Sequence, residues 1–144
     1  MKFHARDALQ ISGLSYKQLD HCLRSGILRP SGGGGHGYGS PRCFTQRDLV
    51  AIVLLSDVLR ASIRVSAVAA ALRYVQRGHG FPALTELGDA ALMTDGTGVA
   101  LVKGEPTSPW SSTRRITYLL DLGGAAAKVL AMTTQTATNT NLNP

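Results

Sequence analysis

Between Arg29 and Phe44 the chain reads RPSGGGGHGYGSPRCF, and six of the eight positions 32–39 are glycine. A helix or a central strand does not persist through such a run, because each glycine loses more backbone freedom on ordering than any other residue. Pro30 and Pro41 bracket it and each lacks a backbone donor, which excludes a central strand again. The run is therefore either a phosphate cradle, with backbone amides closing on an anion, or a mobile loop tip. Its neighbours decide between the two.

Upstream, Ala5 to Gln10 is a short helical candidate, stopped by the turn Ile11-Ser12-Gly13 before Leu14. Ser15-Tyr16-Lys17-Gln18 then fits a capping box, in which the Ser15 hydroxyl takes the Gln18 amide and the Gln18 side chain reaches back. Leu19, Cys22 and Leu23 form the inward stripe of this second helix, and Gly26 ends it. Two short helices joined by a tight glycine-containing turn are the pattern of a helix-turn-helix. Ile27 to Ser31 and Arg42 to Phe44 read as two short strands, so the glycines become a hairpin tip. Thr45 caps a long apolar helix with Asp48 at its third position, and a further helix is expected from about Val65 to Arg77.

Beyond Arg77, RGHGFPALTELG has the Gly and Pro content of a linker or docking loop. LMTDGTGVALV carries an Asp-Gly turn between two apolar runs, a hairpin signal. ITYLLDL is a third strand candidate, GGAAAKVLAM a short closing helix, and TTQTATNTNLNP a polar, low-complexity stretch expected to be disordered. The organisation expected is thus 1–77, a linker at 78–91, a small α/β module at 92–132 and a tail at 133–144.

Charge divides the same way. Residues 1–80 hold eleven Lys and Arg against four Asp, whereas residues 81–144 hold four basic side chains against five acidic ones. The positive excess lies wholly in the front, where it attracts a polyanion or is simply a solvated basic face. The rear lacks that excess and is a poor binder of nucleic acid. It reads as a dimerisation or sensing unit, with Trp110 either half-buried or stacking on a small ligand or partner. No apolar run reaches the length of about eighteen residues of a membrane span, and the N-terminus lacks a signal-peptide core, so a cytoplasmic chain is expected.

The letters G-x-G-x-x-G do occur, at Gly32, Gly34 and Gly37. A dinucleotide fingerprint needs a helix starting inside the motif to receive the pyrophosphate, whereas here the next helix begins only at Thr45. A Walker loop fails as well, because no G-K-[ST] follows. Cys22 and Cys43 show no metal-ligand spacing, alone or with His4, His36 or His79, and no disulfide framework. Asp20-His21-Cys22 holds the letters of a catalytic triad, but consecutive helical residues point about 100° apart and cannot converge. Cys22 reads as a small core residue. Neither an enzyme nor any cofactor is expected.

A hairpin tip beside a helix-turn-helix is a wing. GLSYKQLDHCLRSGILRP, the Gly-rich loop and PRCFTQRDLVAI together resemble the winged-helix domain of MerR-type transcriptional regulators, and in particular their actinobacterial branch. Gly13, Leu14, Ser15, Tyr16, Gln18, Leu19, Asp20, Arg24, Gly26, Leu28 and Pro30 fit that pattern, while Arg42 and Phe44 match the wing's closing Arg and aromatic. The likeness covers about residues 3–77. His21-Cys22 departs from the branch's two aromatics, and Asp20 from the phosphate-binding Arg of founding members. The long dimerisation helix of those members is not visible after Arg77.

The resemblance implies an α+β fold: an N-terminal MerR-like winged helix, comprising helix-turn-helix, β-hairpin wing and two further helices, with a small C-terminal β-hairpin/α module behind it. It implies a homodimer on a palindromic operator in double-stranded DNA, bending the duplex, in the cytoplasm at the nucleoid. The second helix would enter the major groove with Ser15, Tyr16 and Lys17 at its first turn. Arg42 on the wing is the leading phosphate contact, Arg24 touches phosphate or caps its helix, and His36 and Tyr38 sit at the wing tip. A protein partner or small-molecule effector belongs at the C-terminal module. The rival readings are an excisionase-like DNA-bending accessory factor and an antitoxin whose rear wraps a protein toxin.

Overall fold

The structure, a computed structural model, describes residues 2–32, 42–77, 80–104 and 116–142. Two short helices open it, α1 (Ala5–Ser12) and α2 (Tyr16–Arg24). Asp7 Oδ2 accepts the His4 amide at 2.9 Å and fixes the start of α1. At its end Gly13 takes φ +74°, the left-handed conformation that lets its N–H return to the Leu9 carbonyl at 2.9 Å. The turn is pinned from outside: the Ser12 carbonyl accepts from Ser56 Oγ at 2.7 Å and Arg60 Nη2 at 2.9 Å. The expected box then starts α2, with Ser15 Oγ accepting Gln18 N at 3.1 Å and Gln18 Oε1 accepting Ser15 N at 2.9 Å.

Helix α3 (Gln46–Arg60) is the centre of the molecule. Every residue from Asp48 to Ser56 is buried. A helix apolar on all sides must be surrounded. Here α1, α4 (Ala69–Arg77) and α5 (Leu122–Leu142) pack on it. The predicted helix over 65–77 is split: a 3-10 turn at Val65–Ala67 precedes α4. The rear sheet is antiparallel, ordered β2-β1-β3, from β1 (Ala91–Thr94), β2 (Val99–Val102) and β3 (Tyr118–Leu120). The β1–β2 loop spans four residues rather than a two-residue Asp-Gly turn. Asp95 Oδ1 accepts the amides of Thr97 at 2.9 Å and Gly98 at 2.7 Å, and Thr94 Oγ1 donates to the Gly98 carbonyl at 2.7 Å.

Two expectations require correction. Ile27 to Ser31 is not a strand: Pro30 has no donor, and the Ser31 amide goes to Asp48 Oδ2 at 2.8 Å instead of to a neighbouring strand. On either side of the glycine run, the Gly32 amide reaches the Cys43 carbonyl at 3.1 Å, and Phe44 pairs reciprocally with Phe3 at 2.7 and 2.8 Å. The expected wing tip, with His36 and Tyr38, lies outside the described residues. The described part of the 78–91 stretch, expected as a linker or a docking loop, packs down: Phe81, Leu87 and Ala90 are buried in the same core as α3. Lastly, α5 does not stop near Met132 but continues to Leu142, through most of the stretch assigned to a disordered tail. No Gly or Pro interrupts residues 125–142, and the Thr133 and Thr134 hydroxyls turn inward onto the Leu130 carbonyl at 3.0 and 2.9 Å instead of competing for the helix amides.

One hydrophobic cluster therefore runs from Phe3 to Val129. Front and rear share it. The seam at the rear is close: Gly123 N donates to the Ala90 carbonyl at 2.7 Å, and a Cβ on Gly123 would run into the Gly88 carbonyl.

Candidate nucleic-acid interface

Two anchors present the N-terminal turn of α2. Inside, Leu19 and Cys22 enter the core; outside, Ser15, Tyr16, Lys17 and Gln18 all face solvent. Tyr16 is 65% exposed, the largest exposure among the big apolar or aromatic side chains described. An aromatic left uncovered on a short helix that is itself held at both ends is a projecting group, available to a partner. Ser15 is placed by its cap: its oxygen is taken by the Gln18 amide, while its hydroxyl proton remains free to donate outward.

Asp20 collects the two arginines expected to meet phosphate. Arg24 Nε lies 2.8 Å from Asp20 Oδ2, one turn along α2, and Arg42 Nη1 lies 3.4 Å from Asp20 Oδ1, from the segment that leads into α3. The two side chains are 76% and 38% exposed. Asp20 thus bridges the second helix to that segment and leaves the trio one net positive charge. Both arginines can turn outward, since exposed pairs of this kind hold by about 0–1 kcal/mol.

Of the sequence-predicted site residues, the structure brings Ser15, Tyr16 and Lys17 to one exposed turn and Arg24 and Arg42 to one carboxylate. His36 and Tyr38 fall outside the described residues. What the sequence reading missed is the device that holds the segment before the glycine run. Asp48, 1% exposed, accepts from Ser31 N and Ser31 Oγ at 2.8 Å each, and from Thr45 N and Gln76 Nε2 at 2.9 Å each. Gln76 on α4 also donates to the Arg29 carbonyl at 2.8 Å. The Thr45-to-Asp48 spacing signalled the cap; nothing local signalled that the same carboxylate would clamp Ser31.

Cys22 is buried, and that burial pushes its thiol above the ordinary value of 9.0. It is held as a neutral thiol, as suits a core residue. Cys43 is half-buried, with Sγ 4.0 Å from His4 Nδ1. Among the described residues no group of three or more His, Cys, Asp or Glu side chains could hold a metal ion, and no helix is long and apolar enough to cross a membrane.

A short helix, a glycine turn pinned to a central helix, and a second capped helix with its first turn exposed make the geometry of a helix-turn-helix. Comparison with known proteins points the same way. No family model matches the chain. Proteins of Mycobacterium bovis and of two strains of Mycobacterium tuberculosis, each named an uncharacterized HTH-type transcriptional regulator, are 29% identical to it over 98 residues. The match covers 67% of this chain and 41% of each relative, so the chain spans about two fifths of the length of these proteins. The likeness supports a helix-turn-helix regulator, and the α+β fold with its small three-stranded sheet is consistent with that class.

Proposed function

We propose that this chain is a sequence-specific regulator of transcription that reads double-stranded DNA in the manner of a MerR-like winged helix. The observation that carries the reading is the uncovered first turn of α2, with Tyr16 and Lys17 facing solvent on a helix otherwise fixed by cap, turn and core. Such a turn reaches base edges in a major groove, and the positive excess of residues 1–80 supplies the sequence-independent attraction. The names of the mycobacterial relatives support the coarser part, a regulator and not an enzyme. In this reading the chain acts as a homodimer on a palindromic operator, bends the duplex between half-sites, and works in the cytoplasm, with the rear sheet and α5 as the dimerisation or effector unit. Two half-sites double a contact set too small to hold tightly alone.

The test is selection of bound sequences from random duplex DNA, followed by titration over salt. Arg42→Ala is expected to weaken all sites alike and reduce the salt slope by about 1, whereas Lys17→Ala changes the preferred sequence. Failure of the wild-type chain to bind any duplex at low salt would refute the reading.

A further inference from the structure

At the end of α2 remote from Tyr16 lies an open cleft of about 530 Å³, between the wing root and α4. Its walls carry three guanidinium groups, from Arg29, Arg73 and Arg77, and no carboxylate. All three residues are exposed, and none is in a salt bridge with any described residue, unlike Arg24, Arg42 and Arg60. Asp48, which Ser31 and Gln76 of the lining hold, is buried with its oxygens occupied by four donors from Ser31, Thr45 and Gln76. The floor is the Gln76 side chain, which donates both to the Arg29 carbonyl at 2.8 Å and to Asp48. A concave space of this size fits a small molecule. Three unpaired planar forks around it match the several oxygens of a phosphate group better than a single carboxylate.

We propose that this cleft binds a small phosphorylated ligand, held by Arg73 and Arg77 from α4 and by Arg29 from the wing root. The chemistry recognised is that of phosphate oxygens, and the experiment below separates a free ligand from a duplex backbone as their source. The nine residues of α2 separate the cleft from the Tyr16–Lys17 turn by about 13 Å along the helix, at the end leading away from the exposed turn. Bound phosphate ties α4 to Arg29, which directly precedes Pro30 and the glycine loop, and so stiffens the root of the wing where Gln76 already braces it. The cleft is thus an effector site on the front half, separate from the rear sheet.

Thermal unfolding of the full chain without DNA, with sodium pyrophosphate or with sodium chloride at matched ionic strength, tests this independently of duplex binding. Pyrophosphate at about ten times its dissociation constant is expected to raise the midpoint by about 3–6 °C beyond the chloride control. Arg73→Gln/Arg77→Gln, both exposed positions, is expected to lose that rise, and Lys17→Ala to keep it. No rise beyond chloride, or an equal rise in the double variant, overturns the proposal. A double variant whose DNA-binding salt slope falls by about 2 assigns the cleft to duplex phosphate and overturns the free-ligand source. An unchanged slope together with a lost pyrophosphate rise supports it.

Discussion

The two ends of this chain are fastened to the same central helix by opposite means. In front, the irregular segment leading into the glycine run is held to α3 and α4 by a buried carboxylate, with Asp48 accepting from Ser31 and Gln76. In the rear, the sheet and α5 are held by apolar burial and close backbone approach, with Leu92, Leu120, Leu122 and Val129 in the core and Gly123 against Gly88. Polar fastening is directional and fails when one partner is lost; apolar fastening is diffuse and tolerates change so long as volume is conserved.

The sharpest way to break this contrast is Asp48→Ala. It leaves the Ser31 and Thr45 amides and the Gln76 side chain, all on exposed or half-buried residues, without their shared acceptor at once. The expected loss is about 2–4 kcal/mol of unfolding free energy, read from the urea midpoint. Asp48→Asn keeps an acceptor oxygen and is expected to lose less. If the alanine variant costs no more than a surface substitution, the front is held by its apolar contacts and the contrast disappears.

The rear responds to bulk instead of polarity. Gly123→Ala sets a methyl against the Gly88 carbonyl and the Ala90 amide and is expected to cost about 1–3 kcal/mol in the same assay. Because the damage falls on the seam and not on α2, the folded fraction is expected to bind duplex DNA with wild-type affinity.

The contrast also explains what could be read from the sequence. Caps at Ser15 and Thr45, the turn at Gly13 and the apolar faces of α2 and α3 are local, within four residues, and they stand as expected. The Tyr16–Lys17 turn was legible for the same reason. Ser31 and Asp48 are 17 residues apart, and Arg29 and Gln76 are 47 apart, so no spacing rule joins them. That distance is why residues 27–31 were mistaken for a strand: the donor that would have paired in a ladder is taken by a carboxylate far along the chain. The length of α5 was hidden differently. Its Thr- and Asn-rich end has low intrinsic helix preference, and the Gln46–Thr133 contact at 3.3 Å that ties it to α3 is 87 residues long-range.

The two cysteines sample the contrast at one residue type. Cys43, just before α3, is half-buried and Cys22 is in the core, so iodoacetamide is expected to label Cys43 in the native protein and Cys22 only on unfolding. The raised Cys22 thiol also makes stability depend on pH with a definite sign. Its contribution is full below 9.0, where the thiol is protonated folded and unfolded alike, and is lost as pH rises through the elevated folded value. Cys22→Ala is expected to remove that part of the alkaline decline; an unchanged decline assigns it to other groups.

The smallest expected effect sharpens the contrast from within the front. Arg24 and Asp48 both make polar contacts, yet the Arg24 side chain is 76% exposed and its 2.8 Å pair with Asp20 lies in water and salt. Arg24→Ala is therefore expected to change stability by less than about 0.5 kcal/mol. It also frees Asp20 to act on Arg42 alone, drawing that guanidinium closer than 3.4 Å and away from any phosphate. The DNA affinity of Arg24→Ala should then fall by more than the loss of one cation predicts, and Asp20→Asn should restore part of it. A double-mutant cycle over salt measures this coupling, and additivity would show that Arg24 and Arg42 act separately rather than through the carboxylate they share.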